Sequence, residues 1–392
     1  MERIYLDHNA TTPTDPRVVE AMLPYFTRAF GNPSSAYTPA QETRAAVEES
    51  RAAVAAAIGC QPRCVVFTSG GSESDNMAIK GVALGRFASG GHIVTTKIEH
   101  HAVLHTCQYV RDRLGFDVTF LDVDASGRVD SDAVASACRE DTVLITVMQA
   151  NNETGVVEPI KEIASVGRER GILVHTDAVQ AVGKMEVDVD DLGVDLLSLS
   201  AHKLYGPKGM GALYVRPGTT LDPLAHGGSH ERGMRAGTEN VPGIVGLATA
   251  VTIATAGLGP ERARLTALTE RLERGVEERI PEVTIHSRGT VRIAGTSNIA
   301  FHYVEGESIV LALDMEGMAV STGSACTTDS AEPSHVLSAM GVAPNVAQGS
   351  VRFGLGRHTS EAQIDRLLSV LPGVVERLRA MSPLYRQPDG RA

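Results

Sequence analysis

Seven short apolar runs, at 65–68, 92–96, 118–121, 143–148, 172–176, 196–199 and 212–215, alternate with stretches of helical character such as 45–57 and 74–84. Most of the runs are continuously apolar rather than alternating, which is the pattern of strands covered on both faces. Repeated strand–helix alternation predicts an α/β domain around a mainly parallel, seven-stranded sheet. After about Gly259 the pattern changes. The stretch 261–279 is a charged helix former, and segments near 298–301 and 351–354 read as strands of a smaller α+β unit. The last helix, near 361–381, is amphipathic, with Ile364, Leu367, Leu368, Leu371 and Val375 on one face. The expected division is a large domain over 16–258 and a small C-terminal domain made of 1–15 and 259–392, with a loose tail after Pro383. A chain of 392 residues is long enough for two such units.

Composition mainly excludes. The net charge is −11, whereas a nucleic-acid binder needs a basic face, so no direct nucleic-acid binding is expected. The N-terminal residues from Met1 to Asp7 lack the apolar stretch of a signal peptide. The uncharged run 241–259 approaches membrane length, but its Pro242, glycines and threonines make it a buried helix. A cytoplasmic protein without a membrane span is expected. The cysteines are Cys60, Cys64, Cys107, Cys138 and Cys326. Their odd number and lack of zinc-ribbon spacing argue against a disulfide framework and against an intrachain metal site.

Three segments carry chemistry. In the first, Val65-Val66-Phe67-Thr68 runs through Ser69-Gly70-Gly71-Ser72 into a helix. Glycines admit a ligand close to the backbone, and a helix start offers free N–H groups to a phosphate, although an ordinary Ser-capped helix looks the same. In the second, Asp177 ends the apolar run Ile172-Leu173-Val174, where open α/β sheets place ligands. Its carboxylate suits a protonated pyridine nitrogen, and equally a helix cap. The third segment reads Ser198-Leu199-Ser200-Ala201-His202-Lys203-Leu204-Tyr205-Gly206. A lysine just past an apolar strand can form a Schiff base, and Ser200 and His202 stand beside it as phosphate donors. Lysine, ring-nitrogen acid and phosphate donors are together what pyridoxal 5'-phosphate (PLP) requires.

With these residues in place, the sequence resembles the cysteine desulfurases of the class V aminotransferase group of fold-type I PLP enzymes. The resemblance runs from Tyr5-Leu6-Asp7 to Ser382-Pro383-Leu384. It is carried by Thr11-Thr12-Pro13, Phe30-Gly31-Asn32-Pro33, Glu99-His100, Asn151-Asn152-Glu153, Asp177 with Gln180, Ser200-Ala201-His202-Lys203, Tyr205-Gly206-Pro207-Lys208-Gly209, and Gly227-Gly228 leading to Arg235-Ala236-Gly237-Thr238. It implies that Lys203 bears the PLP Schiff base, Asp177 pairs with the ring nitrogen and Gln180 bonds the ring oxygen. His100 would stack on the ring and move protons, while Gly71, Ser72, Ser200 and His202 hold the phosphate. Asn152 would lie by cofactor and substrate, and Arg352 would clamp the substrate carboxylate, a task suited to a bidentate guanidinium. Thr238 would reach the phosphate of a neighbouring subunit, which implies a homodimer. Two positions depart from the pattern: Gly71-Ser72 stands where relatives often have Ala-Thr, and His8 where an aromatic or small residue is usual.

Cys326 lies among small and polar residues, in Ser324-Ala325-Cys326-Thr327-Thr328-Asp329. That composition is typical of an accessible loop, whereas a free cysteine is more often buried. The resemblance identifies it as the thiol that takes sulfur from L-cysteine as a persulfide, leaving L-alanine. The long stretch from Cys326 to Pro333 matches the subgroup that feeds iron–sulfur assembly, so a scaffold protein is the expected acceptor. Cys326 would then be a transient [2Fe-2S] ligand shared with that scaffold. Selenocysteine lyase, cysteine sulfinate desulfinase and class V aminotransferase activities are the alternatives on the same scaffold.

Overall fold

The computed structural model describes residues 3–323, 333–383 and 385. The strands are β1 (Ile4–Tyr5), β2 (Val65–Thr68), β3 (His92–Thr96), β4 (Asp117–Leu121), β5 (Thr142–Thr146), β6 (Leu173–Asp177), β7 (Leu196–Ser200), β8 (Gly211–Val215), β9 (Val283–Ile285), β10 (Thr296–Phe301), β11 (Met318–Ala319) and β12 (Ser350–Gly354). Seven form one sheet in the order β2-β8-β7-β6-β5-β3-β4. All its pairings are parallel except the two made by β8, which runs antiparallel between β2 and β7. Every residue of β2, β3, β7 and β8 is buried, as their continuous apolar character predicts. β4 is the partly exposed edge.

The run 241–259 becomes helix Val241–Ala256, buried against helices Thr38–Ala57 and Pro16–Met22. Among the described residues no single helix is long and apolar enough to cross a membrane. Element ends differ from the sequence reading in two places. The helix expected at 74–84 begins at Gly71, so the turn glycine is its first residue. The helix expected at 45–57 begins at Thr38, with Pro39 in its first turn, where a missing N–H costs nothing.

A second apolar core joins Leu268 and Leu272 of helix Leu258–Arg279, Ile309 and Leu313 of helix Gly306–Met315, and Ile364, Leu367, Leu368 and Leu371 of helix Glu361–Met381. It covers the antiparallel sheet β9-β10-β12 and the pair β1-β11. Ile4 and Leu6 belong to this core. The next residues cross to the large sheet: Thr12 N–H donates to the His202 carbonyl at 2.9 Å and Asp15 N–H to the Tyr205 carbonyl at 2.9 Å. The N-terminal strap is thereby laid over the turn that carries Lys203.

Candidate active site

The C-terminal ends of the parallel strands open into a cavity of about 490 Å³. This is where an open α/β sheet binds ligands. In its wall β2 leads into Ser69 and Gly70, and helix Gly71–Gly85 begins with no side-chain cap. Its first N–H groups are therefore unclaimed by a capping side chain. Gly70 has φ of 153°, a backbone state that favours glycine. Gly211 on β8 is also required, because a Cβ there would stand 2.7 Å from the Gly70 backbone. Ser200 closes β7, and its buried hydroxyl has no hydrogen-bond partner among the described residues. A buried hydroxyl of that kind costs free energy unless a ligand meets it. The uncapped helix start and the orphaned Ser200 hydroxyl fit a phosphate group.

Asp177, the last residue of β6, is buried; its Oδ1 accepts the Val179 N–H at 2.9 Å while the residue also lines the cavity. No helix follows for it to cap: the residues after Asp177 form turns, and its carboxylate holds the first of them while still lining the cavity. Burial pushes its carboxyl up, and the Lys203 charge works against that shift. Asp75, from helix Gly71–Gly85, is buried in the same cavity wall and is pushed well up by burial and by the Asp177 charge. The Lys203 charge thus favours the ionised form of Asp177, and no such charge offsets the burial of Asp75. A carboxylate so placed fits a protonated ring nitrogen.

Lys203 ends the turn Ala201–Lys203, and Tyr205 beyond it has a left-handed φ of 64°. Thr12 holds this turn from the strap: its hydroxyl donates to the His202 carbonyl and accepts the Tyr205 N–H at 2.8 Å. The Lys203 ammonium donates to the Asn9 and Ala10 carbonyls at 2.7 and 2.6 Å. His100 Nδ1 accepts the Ala102 N–H at 3.1 Å, capping helix His101–Leu114. Burial and the Lys203 charge push His100 down to about 4. The ring is thus neutral at pH 7, and with Nδ1 accepting, its proton sits on Nε2. Arg352 on β12 is buried, donating to Asp7 at 2.9 Å and to the Asn152 carbonyl at 3.0 Å, while its Nε has no partner among the described residues. A guanidinium with N–H donors to spare suits an incoming carboxylate.

Gly71, Ser72, His100, Asn152, Asp177, Gln180, Ser200, His202, Lys203 and Arg352 all line this one cavity. Thr238 does not; it lines a smaller adjoining pocket with Ser69 and Gly209. Cys326 lies outside the described residues, whereas Gly323 just before it reaches the cavity wall. The sequence reading gave no role to Asn9, Ala10, Asp75 or Lys208. The two carbonyls that hold Lys203 carry no residue-type signature, while Asp75 in Ser74-Asp75-Asn76 reads as ordinary helix polarity. Among the described residues no group of side chains is placed to hold a metal ion.

The aminotransferase class-V family model matches residues 4–367. A cysteine desulfurase IscS of Dictyoglomus turgidum is 52% identical over 384 residues, covering 98% of this chain and 97% of its own. A solved NifS-like protein superimposes with a TM-score of 0.90 at 36% identity, over 96% of this chain and 100% of that one. SspA, solved in complex with cysteine, gives 0.81 at 40% identity, over 90% and 98%. With Lys203, Asp177 and the uncapped start of helix Gly71–Gly85 lining one cavity, these likenesses place the chain in the aminotransferase class-V family, among its cysteine desulfurases.

Proposed function

We propose that this PLP-dependent cysteine desulfurase passes the sulfur of L-cysteine to Cys326, leaving a persulfide and L-alanine. The observation that carries the reading is one cavity that joins a half-buried amine, a buried acid and a guanidinium. The thiol of Cys326 and L-cysteine together hold every atom of the persulfide and the alanine, so no further oxidant is required. When bound, PLP supplies an electron sink for the negative charge that develops at the substrate Cα. Lys203, Asp177, Gln180, Gly71, Ser72, Ser200 and His202 would hold it.

The chain's own groups then divide the work. Arg352 orients the substrate through its carboxylate, with Asn152 beside it. Lys203, in its neutral amine form, takes the Cα proton on Nζ. His100 stands as a neutral ring whose Nε2 proton is available to a leaving group. The Cys326 thiolate attacks the substrate sulfur, and its S–S bond forms as the substrate C–S bond breaks. The enzyme acts as a homodimer in which Thr238 completes the neighbour's phosphate cradle; its absence from the cavity of its own chain supports this. We place the enzyme in the cytoplasm, where exposed thiols stay reduced, with an iron–sulfur scaffold protein as sulfur acceptor.

The test is sulfide and alanine release from L-cysteine with a thiol reductant, without an amino acceptor. Equal amounts of both products are expected. Cys326→Ala is expected to keep the visible absorbance band of bound PLP and to lose sulfide release. Equal activity in that variant would remove Cys326 from the reaction. A requirement for a keto-acid acceptor would instead make the chain an aminotransferase.

Arg352→Lys keeps the charge but loses the forked geometry. It is expected to raise the KM for L-cysteine by about 10- to 100-fold, the size of one lost charge-assisted hydrogen bond. Steady-state kinetics over a range of L-cysteine concentrations measures this directly. An unchanged KM would mean that the carboxylate is held elsewhere.

A further inference from the structure

Residues 324–332, which include Cys326, lie between two described flanks. On one side Ser321 pairs with Arg352 of β12, its carbonyl accepting the Arg352 N–H at 2.6 Å. On the other, the Ser334 hydroxyl accepts the Leu337 N–H at 3.1 Å and so caps the short helix His335–Ala339, while His335 Nε2 donates to the Glu99 carbonyl at 2.9 Å. One side chain meets both flanks. The Ser334 hydroxyl donates to Glu153 Oε2 at 2.5 Å, and a Cβ on Gly323 would collide with that same oxygen. We propose that Glu153 is a positioning residue for sulfur transfer: its carboxyl ties together the two ends from which Cys326 is presented, beside the arginine that takes the substrate carboxylate.

Glu153 is itself fixed. It is buried, and its N–H donates to Asn151 Oδ1 at 2.8 Å, as the Thr154 N–H does at 3.0 Å. Asn151 Nδ2 donates in turn to the Ile98 carbonyl at 3.0 Å. The Glu153 carbonyl accepts from Asn298 Nδ2 at 3.3 Å, and Asn298 on β10 pairs with Arg352 on β12. Arg352 Nη1 donates to the Asn152 carbonyl at 3.0 Å. The carboxyl thus stands on the same turn that braces the guanidinium. Among the described residues no cation pairs with it. A buried acid without a cationic partner is a poor source of stability, so its place between the two flanks calls for another reason.

Control of distance supplies that reason. Arg352 fixes one end of the substrate, and the Cys326 thiol must meet the sulfur at the other. A chain segment held close at both ends presents what it carries at a higher effective concentration than one given a longer tether. Gly323 belongs to the same device: only a residue without a Cβ lets the backbone pass the Glu153 carboxyl, and Gly323 itself reaches the cavity wall. Farther out the flanks are held by other means, Ser321 through β12, and Val336 and Leu337 through an apolar cluster with Ile98 and Met148. Loss of the Glu153 tie would therefore lengthen the tether without unfolding either flank.

This role for Glu153 rests on the desulfurase reading and concerns one step of it. The test compares two rates of the purified enzyme with its cofactor. Exchange of the L-alanine Cα hydrogen with heavy water, followed by NMR, calls on Lys203 and Arg352 but on no thiol. Sulfide release from L-cysteine calls on Cys326 as well. Glu153→Ala is expected to lower sulfide release about 10- to 100-fold, the cost of a misplaced reacting group, and to keep the wild-type rate of alanine exchange. Glu153→Gln, which keeps the shape and an oxygen for Ser334, is expected to recover most of the loss. Gly323→Ala pushes the carboxyl off Ser334 and should show the same split between the two rates, even if Glu153→Ala folds poorly. Without substrate, hydrogen exchange over 319–323 and 333–339 is expected to be faster in Glu153→Ala than in the wild type. Equal falls in both rates, Glu153→Gln as impaired as Glu153→Ala, or unchanged protection of both flanks would overturn the proposal. A wild type that exchanges alanine yet releases no sulfide would sink the functional reading instead.

Discussion

Lys203→Ala is expected to remove the visible band of bound PLP and to lower sulfide release by about 10⁴-fold or more. Loss of a positioned general base alone accounts for about 10²- to 10⁴-fold, and here the same residue also anchors the cofactor. The geometry leaves no ready substitute. Lys208 donates to the Thr12 carbonyl at 3.2 Å, and Lys184 is committed to Gln180. Neither projects from the end of β7, where the Ser200 hydroxyl and the start of helix Gly71–Gly85 define the cradle. Absorbance spectra and sulfide assays of the purified variant measure both effects. Retention of a Schiff-base band would show that another lysine takes over, and the assignment of Lys203 as anchor would fail. Noncovalent PLP without the band, together with residual activity rescued by added small amines, would fit the anchor-and-base role.

The architecture was legible wherever a residue type reports directly on its surroundings. Continuous apolar runs announced buried strands, and the ligand-facing residues fell at their C-terminal ends: Asp177 on β6 and Ser200 on β7. Gly70-Gly71 marked a turn that needs φ of 153°, which few other residues adopt. Backbone chemistry was illegible. The Asn9 and Ala10 carbonyls hold the Lys203 amine, yet any residue could supply them; only the crossing of the strap from β1 puts them there. Lys184 was hidden for a different reason. Four residues past Gln180, in a stretch of mixed polarity, it reads as a solvated charge, and only the folded turn at 178–185 returns it to the amide. Asp75 was hidden by its helix, since one acid on a helix face carries no sign that it will meet Asp177.

The cradle's support from below was also invisible in the sequence, because it depends on residues 180 positions apart. Glu231 is held in a left-handed turn with φ of 45°, and it is buried. Its carboxylate accepts from Arg51 Nη1 and Nη2 at 2.7 and 3.0 Å, and from the Phe67 N–H of β2 at 2.9 Å. Arg51, itself buried, also donates to the Val65 carbonyl at 3.0 Å. Glu231→Ala would leave the buried Arg51 charge with only the exposed Glu48 carboxylate at 3.2 Å, and Phe67 with no acceptor. The expected loss of stability is about 3–5 kcal/mol, the usual cost of breaking a buried pair from one side. Chemical unfolding of the purified enzyme measures it. Replacing both partners, Arg51→Met with Glu231→Leu, is expected to cost less than Glu231→Ala alone, because no charge is then stranded. If the double variant is instead the less stable of the two, the pair contributes favourably on balance rather than merely cancelling its own desolvation. Since Phe67 lies two residues before Ser69, the single variant should also release PLP faster than the wild type. A destabilised variant with unchanged cofactor retention would uncouple this buried pair from the site above it.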